Sequence, residues 1–294
     1  MKIADTYIIG CGAVGSAIGA RICKLGAVYF YGREGNRAHN FSLQSDHQVK
    51  KFEFPQRLTD PTAPGLVILA IKAYELESAV EMHLPKFMPE SRVLVLSNGY
   101  LENIIGKLVN KFPQMWWYRG VCLFGVAQPE PLRFQIHTKH PIIKYGPVKS
   151  EEDGVSLHPA ELFERSENIM RDIQLKWFAN TVVNTLCAAY KLPRNGDVLN
   201  YEIELEKLSK ESYALLSEIY TFSPDFSFDE AQRYLIRIIQ TTMANENSMS
   251  SDLRKTILTE KEFLSGLAET RSGYPFLKAL NRQILAHEVK AKLE

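Results

Sequence analysis

Apolar positions in the first hundred residues fall into four short runs, Thr6 to Ile9, Ala27 to Tyr31, Leu66 to Ile71 and Val93 to Leu96. Near-continuous Ile, Val and Leu, without strict alternation, predicts parallel strands covered on both faces. Val14 to Leu25 has helical spacing and is closed by Gly26, so the chain opens with a strand-helix-strand unit. Further strands are predicted around Gly120 to Val126, Phe134 to His137 and Ile142 to Tyr145. From Lys149 to about Asn168 the chain is polar and acidic, as expected of a connection with at most one short helix. Beyond it helical periodicity dominates, over Ile169 to Leu192, Tyr201 to Tyr220, Phe228 to Ala244 and Tyr274 to Leu293. The expected fold class is α/β, with a parallel-sheet domain over 1–167 and an all-α domain over 168–294.

Composition agrees with two ordinary globular cores: 294 residues, 45% apolar, with 35 Lys+Arg against 34 Asp+Glu. Disordered, collagenous and disulfide-scaffold classes are excluded. A net charge of +1 gives no electrostatic reason to expect nucleic acid or an anionic membrane, so the expected partner is a small molecule. Cys11, Cys23, Cys122 and Cys187 form no CxxC pair and read as small buried apolar residues. The uncharged stretch Thr6 to Ala20 is too short to span a bilayer and is interrupted by glycines, so a cytoplasmic location is expected. His137 and His140 read as exposed loop histidines, not a metal pair. Met115 to Tyr118 reads as core or subunit contact, and the apolar C-terminal helices are compatible with a homodimer.

Candidate chemistry begins at Gly10-Cys11-Gly12-Ala13-Val14-Gly15, which follows a predicted strand and opens a predicted helix. In that context Gly10 permits a tight turn, Gly12 admits a pyrophosphate against the backbone, and Gly15 lets helix and strand pack closely, as in a Rossmann-type unit. Where an acidic residue would hold a ribose 2′-hydroxyl, the chain has Gly32-Arg33. The planar guanidinium of Arg33 suits a 2′-phosphate, with Arg37 to assist, and this favours NADP. A shift of one residue would put Glu34 on the ribose and favour NAD.

On the first C-terminal helix, Lys176, Asn180 and Asn184 interrupt an apolar surface made by Ile173, Leu175, Trp177, Phe178, Val182, Val183 and Leu186. Asn180 lies about 40° and Asn184 about 80° around from Lys176, which forms one stripe about 12 Å long. Two readings fit this spacing. It describes the solvent face of an amphipathic helix, or an inward polar stripe in which a desolvated lysine serves as proton donor. Asparagine is a poor helix former and an uncommon choice for a solvent face, which weighs against the first.

Five ordered blocks now resemble ketopantoate reductase (2-dehydropantoate 2-reductase). They are the glycine loop, Ile71-Lys72-Ala73-Tyr74, Ser97-Asn98-Gly99, Lys176-x-x-x-Asn180-x-x-x-Asn184, and Asn247-Ser248-Met249-x-x-Asp252 followed by Thr259-Glu260 and Gly266. The resemblance implies a Rossmann-type NADP-binding domain joined to an all-α substrate domain similar to that of 6-phosphogluconate dehydrogenase. It implies reduction of 2-dehydropantoate to (R)-pantoate by NADPH, in pantothenate and coenzyme A synthesis. By matched position, Lys176 would be the general acid and Glu260 would orient it. Asn98, Asn180, Asn184 and Ser248 would hold substrate, and Asn98 would also meet the nicotinamide ribose. Gly10, Cys11, Gly12, Ala13, Val14, Gly15, Arg33 and Lys72 would lie on the cofactor. The chain departs from the family pattern at Thr256 and Ile257, where a Gly-Arg pair is usual, at Ser265 and Cys122, and over His137 to His140. These departures leave two other expectations standing: reduction of another branched 2-oxo acid on the same fold, or a non-catalytic dinucleotide-sensing protein.

Overall fold

The computed structural model describes residues 5–45, 48–57, 59–136, 138, 140–149, 154, 156–222 and 226–293. His137 and, in the polar stretch after Lys149, residues 150–153 and 155 lie outside them. The chain divides into two compact units, one made of 1–97 and 101–169, the other of 98–100 and 170–294.

The first unit opens with β1 (Thr6–Ile9), α1 (Ala13–Ile22) and β2 (Val28–Gly32). The chain then turns back at once through β3 (Gly35–Arg37) and continues as β4 (His39–Ser45) and β5 (Gln48–Phe54). Next come β6 (Leu66–Leu69), α2 (Leu76–His83), β7 (Arg92–Val95), α3 (Glu102–Lys111) and β8 (Trp116–Cys122). The unit closes with β9 (Val126–Glu130), β10 (Arg133–Ile136), β11 (Ile143–Pro147) and β12 (Phe163–Arg165).

Eight strands form one sheet in the order β12-β11-β8-β7-β6-β1-β2-β3. Strands β2, β1, β6, β7 and β8 are mutually parallel, whereas β3 runs antiparallel to β2 and β11 antiparallel to β8. The parallel strands are buried on both faces: β1 and β6 carry no exposed residue, and Ile8, Val67, Ile68 and Val93 are fully enclosed. The architecture is Rossmann-like, with one departure. The third strand is reached by a two-residue hairpin, Arg33-Glu34, instead of a crossover helix.

The chain after that hairpin supplies β4 and β5, which join β9 and β10 in a second sheet, β5-β4-β10-β9, that packs on α1. Phe30, Phe41, Phe54 and Phe134 fill the space beneath it. The buried Ser16 hydroxyl of α1 and His39 Nε2 of β4 are hydrogen bonded at 2.9 Å, which ties this sheet to the helix that follows the glycine loop.

The second unit is helical: α4 (Ile169–Tyr190), α5 (Glu202–Ile219), α6 (Phe228–Thr241), α7 (Ser248–Arg254) and α8 (Pro275–Leu293), joined by short 3-10 turns. Its core is a continuous cluster around Trp177, Phe178, Leu186, Leu216, Leu235 and Leu277. Helix α4 has no exposed residue, which explains why apolar residues occur around much of its circumference.

Several boundaries differ from the sequence expectation. Helix α1 ends at Ile22, not Leu25, because Cys23 closes it on Gly19 O and the chain turns before Gly26. The expected strand Gly120 to Val126 is two strands, β8 and β9, assigned to different sheets. The polar connection carries the edge strand β12 where a short helix was expected, since a buried Phe163 can pair with Ile143. Met115, Trp117 and Tyr118 are buried in the first unit; the four cysteines form no disulfide, and only Cys187 is buried as expected, Cys11, Cys23 and Cys122 being half-buried.

Candidate active site

The glycine loop crosses from β1 into α1, and each glycine has a different physical reason. Gly10 has φ +116°, and a Cβ there would lie 2.3 Å from Ala70 O. A Cβ on Gly15 would lie 2.1 Å from Gly10 O. The fold itself therefore demands these two. Gly12 is different: it is exposed, caps α1, and a Cβ on it would meet nothing within 4 Å. Helix α1 has no side-chain cap and no acidic residue in its first turn, so its leading N–H groups and positive dipole end remain suited to an anion. Ala13 and Val14, half-buried, supply that turn, and Cys11 sits half-buried beside it. Burial raises the Cys11 thiol pKa, with Arg37 acting against it, so the side chain stays neutral at pH 7. The residues present fit a dinucleotide pyrophosphate.

The hairpin after β2 sets the neighbouring cations. A Cβ on Gly32 would lie 3.1 Å from Arg37 Cδ and 4.0 Å from Cys11 Sγ, so the Arg37 stem lies across the strand end close to the loop. Arg33 projects from the turn with its side chain 88% exposed, and its Nη2 and Nε donate to Glu75 Oε1 at 2.5 and 3.1 Å. Glu75 was not anticipated from sequence. It closes the short turn after β6 that starts at the half-buried Lys72, three residues earlier. Glu34 occupies the exposed second turn position.

In the second unit, Lys176 and Asn180 are the two half-buried positions of α4 between Ile173 and Ala189, and Asn184 is buried at 8% exposure. Nothing in this span is exposed, so it has no solvent face of the amphipathic kind. Asn184 Oδ1 accepts from Asn247 Nδ2 at 2.9 Å, and that amide also donates to Asn195 Oδ1 at 2.9 Å. Asn247 Oδ1 in turn accepts from Ser250 N and caps α7, which leaves Ser248 exposed as the first residue of that helix. The buried Asn247 thus fixes both an α4 amide and the start of α7. Its signal was legible as an Asn directly before a helix-opening Ser.

Glu260 is buried at 5% exposure and accepts from Asn98 Nδ2 at 3.4 Å. The approach depends on Gly99, which has φ +98° and whose Cβ would fall 2.4 Å from Phe263 Cβ. Its neighbour Tyr100 donates its N–H to Phe263 O at 2.8 Å. Thr259, beside Glu260, donates its hydroxyl and its N–H to Glu288 Oε1 on α8 at 2.5 and 3.2 Å. These bonds hold the carboxylate-bearing turn at both ends. His140 is exposed, and no group of three His, Cys, Asp or Glu residues suited to a metal occurs among the described residues. No described helix is long and apolar enough to cross a membrane.

A parallel sheet with an anion-ready glycine loop, followed by a helical unit, is the organisation of an oxidoreductase of the nicotinamide dinucleotide class. Comparison with known proteins makes this more specific. The ketopantoate reductase PanE/ApbA family matches residues 6–150, and its C-terminal counterpart matches residues 168–269. The chain belongs to the ketopantoate reductase family. It is 27% identical over 214 residues to 2-dehydropantoate 2-reductase from Yersinia pestis, covering 68% of this chain and 65% of that one. It is 25% identical over 300 residues to the Salmonella typhimurium protein of the same name, covering 97% and 94%. Among solved structures, a ketopantoate reductase from Ralstonia eutropha superposes with TM-score 0.78 at 20% identity, covering 98% of this chain and 99% of that one. D-mandelate dehydrogenase, solved with NADH and anilino(oxo)acetate, reaches TM-score 0.77 at 17% identity, with the same coverage.

Proposed function

We propose that this protein reduces 2-dehydropantoate to (R)-pantoate with NADPH in the cytoplasm, as a step of pantothenate synthesis. Residues 1–167 bind the dinucleotide and residues 168–294 bind substrate and supply the acid. The observation that carries the reading is a buried Glu260 carboxylate, held by Asn98, in the same unit as a half-buried Lys176 on an otherwise enclosed helix.

The dinucleotide, when bound, supplies a hydride to the ketone carbon. Gly12 and the first turn of α1 hold its pyrophosphate, with Gly10, Cys11, Ala13, Val14 and Gly15 shaping that turn. Arg33 and Lys72 meet the 2′-phosphate, and this choice is favoured over NAD by the absence of an acidic residue at the end of β2. Negative charge develops on the ketone oxygen as the carbon is reduced. The Lys176 ammonium stabilises that charge and gives up its proton to form the hydroxyl, an assistance that typically contributes about 10² to 10⁴ in rate. Glu260 orients the ammonium. Asn98, Asn180, Asn184 and Ser248 fix the 2-oxo acid, and the Asn247 bond to Asn184 Oδ1 leaves the Asn184 N–H groups to face a carboxylate.

Parallel titrations with NADPH and NADH, followed by 2-dehydropantoate and a panel of branched 2-oxo acids, test cofactor and substrate together. NADPH with 2-dehydropantoate is expected to give the highest kcat/KM. Arg33→Ala is expected to weaken NADPH at least tenfold in KM, by about the worth of a charge-assisted bond, and to leave NADH nearly unchanged. A second substrate reading is favoured by Thr256 and Ile257, both exposed where relatives usually carry a Gly-Arg pair. Another branched 2-oxo acid outperforming 2-dehydropantoate in the panel would establish it.

A further inference from the structure

Beside Lys176 on α4 stands Trp177, 2% exposed, whose indole Nε1 donates to Phe263 O at 3.0 Å. The same carbonyl accepts the Tyr100 N–H at 2.8 Å. One backbone oxygen therefore joins three pieces of the helical unit: the helix bearing Lys176, the tripeptide 98–100 bearing Asn98, and the turn 260–263 bearing Glu260. Phe263 N donates to Glu260 O at 3.0 Å, so the carbonyl that receives Trp177 and the residue that carries the carboxylate belong to one short 3-10 turn. A carbonyl oxygen has two lone pairs, and both are used here by donors from elements distant in sequence.

We infer that Trp177 is a positioning residue that sets Asn98 and Glu260 against the helix carrying Lys176. The inference rests on the acid–base reading of Lys176 and Glu260. A smaller apolar side chain would keep position 177 in the core at the cost of a cavity, whereas the indole both fills the space and reaches the turn with a donor. Loss of that donor frees the turn from α4 and leaves the Phe263 carbonyl with Tyr100 N alone. The Asn98 contact to Glu260, already long at 3.4 Å, is the bond most sensitive to such a shift.

Trp177→Phe keeps a buried aromatic ring but removes the N–H together with part of the indole, so the loss of the donor is separated from the loss of packing by a double-variant cycle. Turnover of 2-dehydropantoate with NADPH is measured for the parent, Trp177→Phe, Glu260→Gln and the double variant. The expected result is a loss of about tenfold in kcat/KM in the parent background and of less than about twofold in the Glu260→Gln background, with NADPH affinity kept. A general packing defect would instead lower both backgrounds by the same factor, and equal losses, or no loss in the parent, would overturn the inference. Calorimetric affinity for pantoate in the presence of NADP gives a second cycle on the same four proteins, read by the same criterion when turnover is slow. Full activity of Glu260→Gln would count against the acid–base reading, and the binding cycle would then still decide the role of Trp177.

Discussion

Thr256 holds a backbone conformation that suits glycine. It has φ +58° at the end of α7, where Ile257 N donates to Asp252 O at 2.9 Å and Thr256 N to Leu253 O at 3.2 Å. This pair of bonds is a Schellman closure, which places its C′ residue in the left-handed region. A β-branched side chain is strained there by about 1–2 kcal/mol, partly offset by the entropy that glycine loses on folding. Thr256→Gly is therefore expected to raise stability by about 1 kcal/mol in denaturant unfolding, and an unchanged or lowered midpoint would contradict this strain. The departure from the family's usual glycine was visible in the sequence, whereas the positive φ that gives it meaning was not.

His39 makes a second residue-scale prediction. Burial, then Arg37, lowers its pKa to about 4, so it is neutral in the folded protein at pH 7. The unfolded chain, with a histidine pKa of about 6.5, binds the proton first as pH falls. This contribution to stability is full above about pH 6.5 and is lost on descending toward pH 4, by up to about 3 kcal/mol. Unfolding measured between pH 7 and 4.5 should show that slope, and His39→Gln should flatten it. An identical slope in the variant would place the titration elsewhere.

At the scale of elements, the glycine loop separates what the fold needs from what a ligand needs. Gly15→Ala puts a Cβ against Gly10 O and is expected to destabilise the first unit, with a fall in melting temperature. Gly12→Ala meets no protein atom and should melt with the parent, yet lose at least about tenfold in dinucleotide affinity as the methyl group occupies the place of the pyrophosphate. Equal dinucleotide affinity in Gly12→Ala would argue that no phosphate approaches this backbone.

The central parallel strands β1, β2, β6 and β7 were legible because burial on both faces leaves a short unbroken apolar run. In the second sheet β10 was expected, but the β4–β5 hairpin was missed although β4 alternates, with His39, Phe41 and Leu43 buried between more exposed neighbours. Its partner β5, Gln-Val-Lys-Lys-Phe-Glu-Phe, is mostly exposed and hides that period. Helix α3 was passed over for a related reason: only Ile105, Leu108 and Val109 are buried on a largely polar segment.

For the whole molecule, the two-part organisation was legible from the switch in hydrophobic period near residue 168, and the two compact units divide close by, after Ile169. The assignment of 98–100 to the helical unit was not legible, since it arises from long-range contacts of Asn98 and Tyr100 with the turn at 260–263. The stripe on α4 was found by spacing, but its enclosed surroundings come from packing of α5 to α8, which no local pattern encodes. The proposed function rests on one ammonium group, that of the half-buried Lys176. The most direct test is single-turnover reduction of 2-dehydropantoate by NADPH in Lys176→Ala, with NADPH affinity measured on the same protein. If Lys176 is the proton donor, the rate of the chemical step falls at least about 10²-fold and NADPH binding stays within about threefold of the parent. A chemical step as fast as the parent's would show that the proton comes from another group.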